Sequence, residues 1–172
     1  MCPGLADKEI AAAIFKEHLD QLWASGRPQR LGWEQIAIVP PDPVHAVIKL
    51  PAKRVSGEID TYYVRLGAEY YDAAPPTVAF VQPDTWMQAV EPSRWFPKIE
   101  PKPSWFGLVA VHDFPGGVKK QLVCFSFTAE YYMVEHSPTE SQRWKQGRHT
   151  LSATLFRLAE VLAQPFYRGP TK

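Results

Sequence analysis

The sequence predicts a single α+β domain spanning residues 1–172. Three observations lead to this prediction: apolar residues at helical spacing near each end of the chain, four short alternating segments between them, and turn-forming residues in the links. A helix, a run of strands and a second helix, in this order, are typical of a layered α+β fold. A chain of 172 residues is also long enough to bury the core of one such domain.

Two helices are expected, one towards each end of the chain. The first is predicted over residues 7–24, where apolar side chains recur at steps of three and four, with Asp7 as its N-cap. The second is predicted over residues 150–165, with Thr150 as N-cap and Pro165 ending it. Its apolar stripe consists of Leu151, Leu155, Leu158 and Leu162.

Between the helices, apolar and polar residues alternate in four short segments, as they do in half-buried strands. The segments are residues 35–39, 44–50, 61–66 and 77–81. Their links contain Pro-Pro-Asp-Pro and Ser-Gly-Glu, which form turns, so consecutive antiparallel pairing is expected. This part of the sequence predicts a four-stranded antiparallel meander.

Residues 83–105 form a long irregular insert after the fourth strand, with five prolines. Its tryptophans are Trp86, Trp95 and Trp105; we expect at least two to pack against the sheet, although aromatic side chains could also face a partner. Two further extended segments, 108–111 and 119–128, are joined through Phe114-Pro115-Gly116-Gly117. They predict a hairpin, which the alternation continues as far as residue 128.

Composition and charge exclude several classes of protein. Hydrophobic residues make up 45% and charged residues 22%, the balance of a globular protein. A net charge of +1 gives no electrostatic drive towards nucleic acid. Apolar runs are shorter than the ~20 residues that cross a membrane, and the N-terminus lacks the pattern of a secretory signal. We therefore expect a cytoplasmic protein without a disulfide between Cys2 and Cys124.

A family resemblance begins at residues 71–80, which read Tyr-Asp-Ala-Ala-Pro-Pro-Thr-Val-Ala-Phe. This segment resembles the Tyr-Pro-Phe-x-Pro-Pro-x-Val-x-Phe segment of ubiquitin-conjugating enzymes. The matching residues are Tyr71, Pro75, Pro76, Val78 and Phe80, whereas Asp72 and Ala73 depart from the pattern. The resemblance implies that residues 71–80 connect the third strand of a UBC-like fold to its fourth strand.

The order of later landmarks is similar to that family as well. His112-Asp113-Phe114, with Cys124 further along the chain, resembles the family's His-Pro-Asn and its downstream cysteine, and Trp144 resembles the tryptophan before the following helix. Phe114 stands where the family has Asn, which supports the oxyanion during lysine attack. The distances from Pro76 to Cys124 and from Cys124 to Trp144 are longer than usual, as in divergent prokaryotic relatives.

The resemblance implies a ubiquitin-like-protein conjugating enzyme that accepts its modifier as a thioester on Cys124. Its expected partners are an activating-enzyme-like protein, a ubiquitin-like modifier and a protein substrate, and neither a cofactor nor a metal is expected. The family meets activating enzymes on the exposed face of its N-terminal helix, where Lys16 and His18 are candidates. Cysteine suits the chemistry because its thiolate both attacks carbonyls and leaves well.

Each candidate site residue also has a structural interpretation. Cys124 could be a buried strand cysteine, although the alternation places it with Ser126 and Thr128 on the more polar face of its strand. His112 could hold the active-site loop through backbone hydrogen bonds, or be an exposed turn residue. Asp113 could help deprotonate the attacking lysine, or be an ordinary turn aspartate.

His136 could act as a base towards the attacking amine, or be a solvated loop residue. Pairing Cys124 with His136 or His149 would instead make a cysteine hydrolase. A zinc site formed by His112, Cys124 and His136 is disfavoured because no two of them have short ligand spacing. A domain of the same fold without catalysis, which binds a ubiquitin-like protein or scaffolds a complex, is the main alternative.

Overall fold

A computed structural model describes residues 3–39 and 44–172 of the chain. Both Cys2 and the predicted Pro-Pro-Asp-Pro link lie outside these residues. The described helices are α1 (Lys8–Ala24), α2 (Arg27–Arg30), α3 (Ala129–Met133) and α4 (Leu151–Val161). The described strands are β1 (Glu34–Val39), β2 (His45–Lys53), β3 (Ile59–Gly67), β4 (Thr77–Val81), β5 (Pro97–Ile99), β6 (Gly107–Phe114), β7 (Val118–Cys124) and β8 (Tyr167–Pro170).

The four predicted central strands form one antiparallel sheet in the order β1-β2-β3-β4, as a meander does. Helices α1 and α4 pack together against one face of this sheet and share its core. Asp7 caps α1 as predicted, because its side chain accepts hydrogen bonds from the backbone N–H groups of Glu9 and Ile10. The α+β class and the order of its main elements are therefore confirmed.

Tyr71 ties both long helices to the loop before β4. Its ring is buried, and its hydroxyl oxygen accepts a hydrogen bond of 2.9 Å from the N–H of Leu151, the first residue of α4. The same hydroxyl bonds to Nδ1 of His18 on α1 at 2.7 Å. His18 therefore points towards the core, which leaves Lys16 as the exposed member of the pair expected on the outer face of α1.

The insert packs against the sheet, as predicted. Trp86 and Trp95 contact the ring of Tyr63 on β3, whereas Trp105 contacts Phe106 and Phe125. The insert also holds a strand that its proline content concealed, because β5 pairs with β8 at the C-terminal end of the chain. Buried Tyr62 anchors this second sheet to the first through a 2.7 Å hydrogen bond between its hydroxyl and that of Tyr167.

The hairpin β6–β7 lies beside β4 but does not extend the main sheet, because β4 has no strand on its outer edge among the described residues. Side chains take the place of that strand. The Gln121 side chain accepts a 2.7 Å bond from the N–H of Phe80 and donates 3.1 Å bonds to the carbonyls of Phe80 and Ala89. The N–H of Val78 donates to both carboxyl oxygens of Glu130 at 3.2 Å.

Gln121→Ala should reduce the free energy of unfolding by roughly 2–4 kcal/mol, because it leaves buried backbone groups of β4 and the insert without partners. Urea unfolding would measure the loss. Lys119→Ala, at an exposed position near the start of the same strand, is the matched control and should change stability by less than about 0.5 kcal/mol. Equal effects of the two substitutions would contradict the role given to Gln121.

Candidate active site

Cys124 is the last residue of β7 and pairs with Gly107, the first residue of β6. A side chain at position 107 would approach the Cβ of Cys124 to 3.3 Å, closer than ordinary contact. The glycine therefore keeps one side of the cysteine open. Cys124 is nevertheless only 8% exposed, and it packs in a small apolar cluster with Phe114, Leu122 and Met133.

The predicted continuation of the strand to residue 128 is wrong, and so is the polar face assigned to Cys124. Thr128 explains the difference, because its hydroxyl donates to the carbonyls of Val123 at 2.7 Å and Phe125 at 3.0 Å. Such local side-chain bonds compete with strand pairing. The chain turns after Cys124 and enters α3, whose Ala129 joins the apolar cluster around the thiol.

A cavity of about 450 Å³ opens beside Cys124. It lies where the end of β7, the start of β6, α3 and α4 come together. Each of these elements contributes one lining residue or more, among them Cys124, Gly107, Tyr131 and Arg157. The connecting segments add Trp105, Phe125, Ser126 and His136. A cavity of this size matches the clefts that hold extended chain segments or small ligands.

His136 is the candidate base that the structure brings into the cavity with Cys124. Its ring stacks on that of Tyr131, with centroids 4.8 Å apart and planes 27° from parallel. The side chain is otherwise exposed on the loop that follows α3. It also lines a second cavity of about 440 Å³, where the N-terminal segment meets the loop before β4, so the same side chain borders both cavities.

His112 and Asp113 lie at the opposite end of the hairpin. His112 pairs with Lys120, four residues before Cys124, which corresponds to about 13 Å along an extended strand. Its ring packs edge-on against Phe114, and Asp113 forms an exposed ion pair of 3.6 Å with Lys119. The structure therefore does not bring either residue to the thiol.

His149 belongs to a different environment. Its Nδ1 atom accepts a 2.9 Å hydrogen bond from the N–H of Lys145, and its ring packs against Phe127 and Trp144. Partial burial, assisted by the charges of Arg148 and Lys145, lowers its pKa. Because one ring nitrogen is already bonded to the backbone, His149 is a poorer candidate than His136 for a base beside Cys124.

The environment of Cys124 keeps its thiol protonated. Burial, and then the charge of Glu130, raise its pKa to about 11. At pH 7 roughly one molecule in 10,000 then carries the thiolate. A fast reaction of Cys124 near neutral pH therefore requires a group that removes the thiol proton as the sulfur attacks.

Glu130 is itself an unusual group, a carboxyl that is fully buried between α3 and β4. Burial raises its pKa to about 7, although the N–H of Val78 and the nearby charge of Lys120 favour the ionised form. Close to neutral pH, a single proton on Glu130 thus determines whether a negative charge lies near the thiol.

No protein family, curated protein or solved structure that we compared with the chain matches it. Among residues 3–39 and 44–172, no group of three or more His, Cys, Asp or Glu side chains is arranged to hold a metal ion. No helix in the same ranges is both long and apolar enough to cross a bilayer.

Three residues of the cavity carry no signal in the sequence. Trp105 belongs to the insert, Tyr131 lies on α3, a short helix that was not predicted, and Arg157 lies on the polar side of α4. Each is separated from Cys124 by a turn or by an entire element. Only the packing of α3, α4 and the insert around the end of β7 brings them together.

Alkylation of Cys124 should be slow and should accelerate about tenfold per pH unit from pH 7 to 10, as expected for a thiol with a pKa near 11. At pH 8 the rate should lie about two orders of magnitude below that of a free thiol. Iodoacetamide labelling of the Cys2→Ser protein, followed by mass spectrometry, would measure it. A rate that levels off by pH 8.5 would contradict the raised pKa.

Glu130→Gln should remove a pH-dependent loss of stability. The pKa of Glu130 is higher in the folded protein, about 7, than its ordinary value of 4.5, so the folded state holds a proton that the unfolded chain releases. Its contribution is thus favourable below pH 4.5 and is lost as pH rises through 7. Urea unfolding should show the variant gaining roughly 3 kcal/mol over wild type between pH 5 and 8.

The exposed Glu135→Gln is the control for this experiment, since it removes a carboxylate from the surface near α3. If the free energies of unfolding of wild type and Glu130→Gln differ by the same amount at every pH, the raised pKa of Glu130 is contradicted. Glu130→Gln should also accelerate alkylation of Cys124 at pH 8, because it removes the negative charge of Glu130 near the thiol. Higher stability together with higher reactivity would exclude unfolding as the cause of faster labelling.

Proposed function

We propose that this protein is a ubiquitin-like-protein conjugating enzyme that carries its modifier as a thioester on Cys124. The observation that carries the proposal is the open cavity in which Cys124 lies with His136. Acyl transfer needs a nucleophile and a base, and the cavity has a thiol and a histidine in its lining that can take these two roles.

Two landmarks of the family resemblance, the segment that begins at Tyr71 and Trp144, contact each other in the fold, which supports the proposal. Tyr71 contacts the ring of Trp144 and bonds to the start of α4. The indole N–H of Trp144 donates a 2.8 Å bond to the carbonyl of Asp72. Landmarks that are far apart in the sequence therefore meet beside the loop that leads into β4.

In the first step of the proposed reaction, the sulfur of Cys124 attacks the activated C-terminal carbonyl of the modifier. A carbon–sulfur bond forms while the bond from that carbonyl to its activating group breaks. The thiol proton passes to His136 and then to the leaving group. A base is required here because the raised pKa of Cys124 leaves little thiolate at pH 7.

In the second step an amine of the protein substrate attacks the thioester. A carbon–nitrogen bond forms, the carbon–sulfur bond breaks, and a proton from the amine returns to the sulfur. Phe114 stands where the family has the asparagine that supports the oxyanion, but it pairs with Val118 near the turn of the hairpin, six residues before Cys124, so it does not stand beside the thiol. Hydroxyl and amide groups of the cavity, such as those of Ser126 and Gln142, are the available donors.

The test uses the protein's cognate activating enzyme and ubiquitin-like modifier, together with ATP. Wild type should form a covalent adduct that dithiothreitol cleaves, and Cys124→Ala should form none. Cys124→Ser should give an ester that resists dithiothreitol but is cleaved by hydroxylamine, because oxygen replaces sulfur. His136→Gln should slow adduct formation at pH 7 by roughly 10²-fold or more, whereas His112→Gln should not.

The absence of a thiol-sensitive adduct from wild type would overturn the proposal. A non-catalytic binding domain is the second candidate, and the low exposure and raised pKa of Cys124 favour it. In that case the modifier should bind without an adduct, and Cys124→Ala should bind it with unchanged affinity. Titration calorimetry with the same modifier separates the two functions.

A further inference from the structure

The charged groups that line the Cys124 cavity are all positive. Arg157 is the permanent cation of its lining, His136 can add a second positive charge, and the described lining contains no carboxylate. The other polar groups that face the space are hydroxyls and an amide, which can donate hydrogen bonds. They are those of Ser104, Ser126, Tyr131, Ser141 and Gln142. The lining is therefore suited to an anionic group.

The guanidinium of Arg157 is held in position from two sides. It lies over the ring of Trp105, 4.8 Å from the ring centroid, and Trp105 in turn packs against Phe125, the residue after Cys124. One of its N–H groups donates a 3.0 Å bond to Glu160 on the next turn of α4. A guanidinium has five N–H donors in a fixed plane, so others remain available to a ligand.

The rest of α4 fixes where this cation sits. Leu155 and Leu158, two residues before Arg157 and one after it, are fully buried in the core, which fixes the rotation of the helix about its axis. Stacking on an aromatic ring also limits the side chain, which leaves fewer conformations to be lost on binding. A guanidinium held in place in the lining of a cavity can recognise a carboxylate through two parallel hydrogen bonds.

We propose that the Cys124 cavity selects substrates that carry a carboxylate beside the reacting group, and that Arg157 binds this carboxylate as the specificity-determining residue. The role of this carboxylate in conjugation rests on the proposed function, whereas its binding to Arg157 does not. The carboxylate could belong to the tail of the modifier or to the segment around the acceptor amine. Both sources present the same chemistry to Arg157.

Two alkylating reagents test the preference without any partner protein. Iodoacetate and iodoacetamide both form a sulfur–carbon bond with the thiolate and release iodide, but only iodoacetate is an anion. The ratio of their rates at Cys124 cancels the thiolate population, so a change in the pKa of the thiol does not affect it. The same ratio of rates measured with 2-mercaptoethanol, a neutral free thiol, shows how the two reagents differ in reactivity when no protein charge is present.

In the Cys2→Ser protein the iodoacetate-to-iodoacetamide ratio should be about fivefold higher with Arg157 than in Arg157→Met, as expected for one partly exposed cation. Arg157→Lys should retain part of the preference, and 1 M salt should reduce it by screening. Arg27→Met is the matched control, because Arg27 makes the same kind of contact with Phe156 at 4.3 Å but does not line the cavity. It should leave the ratio unchanged.

A wild-type ratio below that of 2-mercaptoethanol, or one that Arg157→Met leaves unchanged, would overturn the proposal whether or not Cys124 forms a thioester. In the conjugation reaction, Arg157→Met should slow adduct formation if the carboxylate belongs to the modifier. It should instead slow discharge to the amine if the carboxylate belongs to the acceptor. If neither step slows, the carboxylate specificity is refuted even when the thioester is confirmed.

Discussion

The outer edge of β4 is the constraint on which the rest of this structure depends. The N–H groups of Val78 and Phe80 point away from the sheet and are buried, so each must find an acceptor within the protein. Gln121 and Glu130 supply those acceptors from β7 and α3. Because both side chains must reach the same edge, the end of β7 and the first turn of α3 have little freedom to move.

Cys124 lies on the segment between these two residues, and its chemistry follows from that position. Gln121 is neutral and has no electrostatic cost, whereas Glu130 brings a carboxyl close to the thiol. The acceptor that completes the sheet edge therefore also opposes ionisation of the cysteine. The larger cause of the raised pKa of the thiol is burial, to which the packing of Ala129 and Met133 contributes by removing water. Structure and reactivity are coupled here through one buried side chain.

Long periodic elements could be predicted from the sequence, because α1, the meander and α4 each bury one regular face. The failures come from interactions between distant residues or from single hydroxyls. Thr128 ends β7 early through hydrogen bonds that no periodicity reveals, and β5 gains its partner only when Tyr167 returns to Tyr62. His112 was expected near Cys124, but antiparallel pairing directs it to the other end of the hairpin. Arg157 reaches the cavity only through helix packing.

The protonated state of Cys124 has a further consequence for the survival of the protein under oxidative stress. Peroxide oxidises the thiolate and not the thiol, so a cysteine with a pKa near 11 converts slowly to sulfenic acid. Its small exposed area limits glutathionylation in the same way. Such a cysteine stays reduced until a specific electrophile enters the cavity, which separates its chemistry from the redox state of its surroundings.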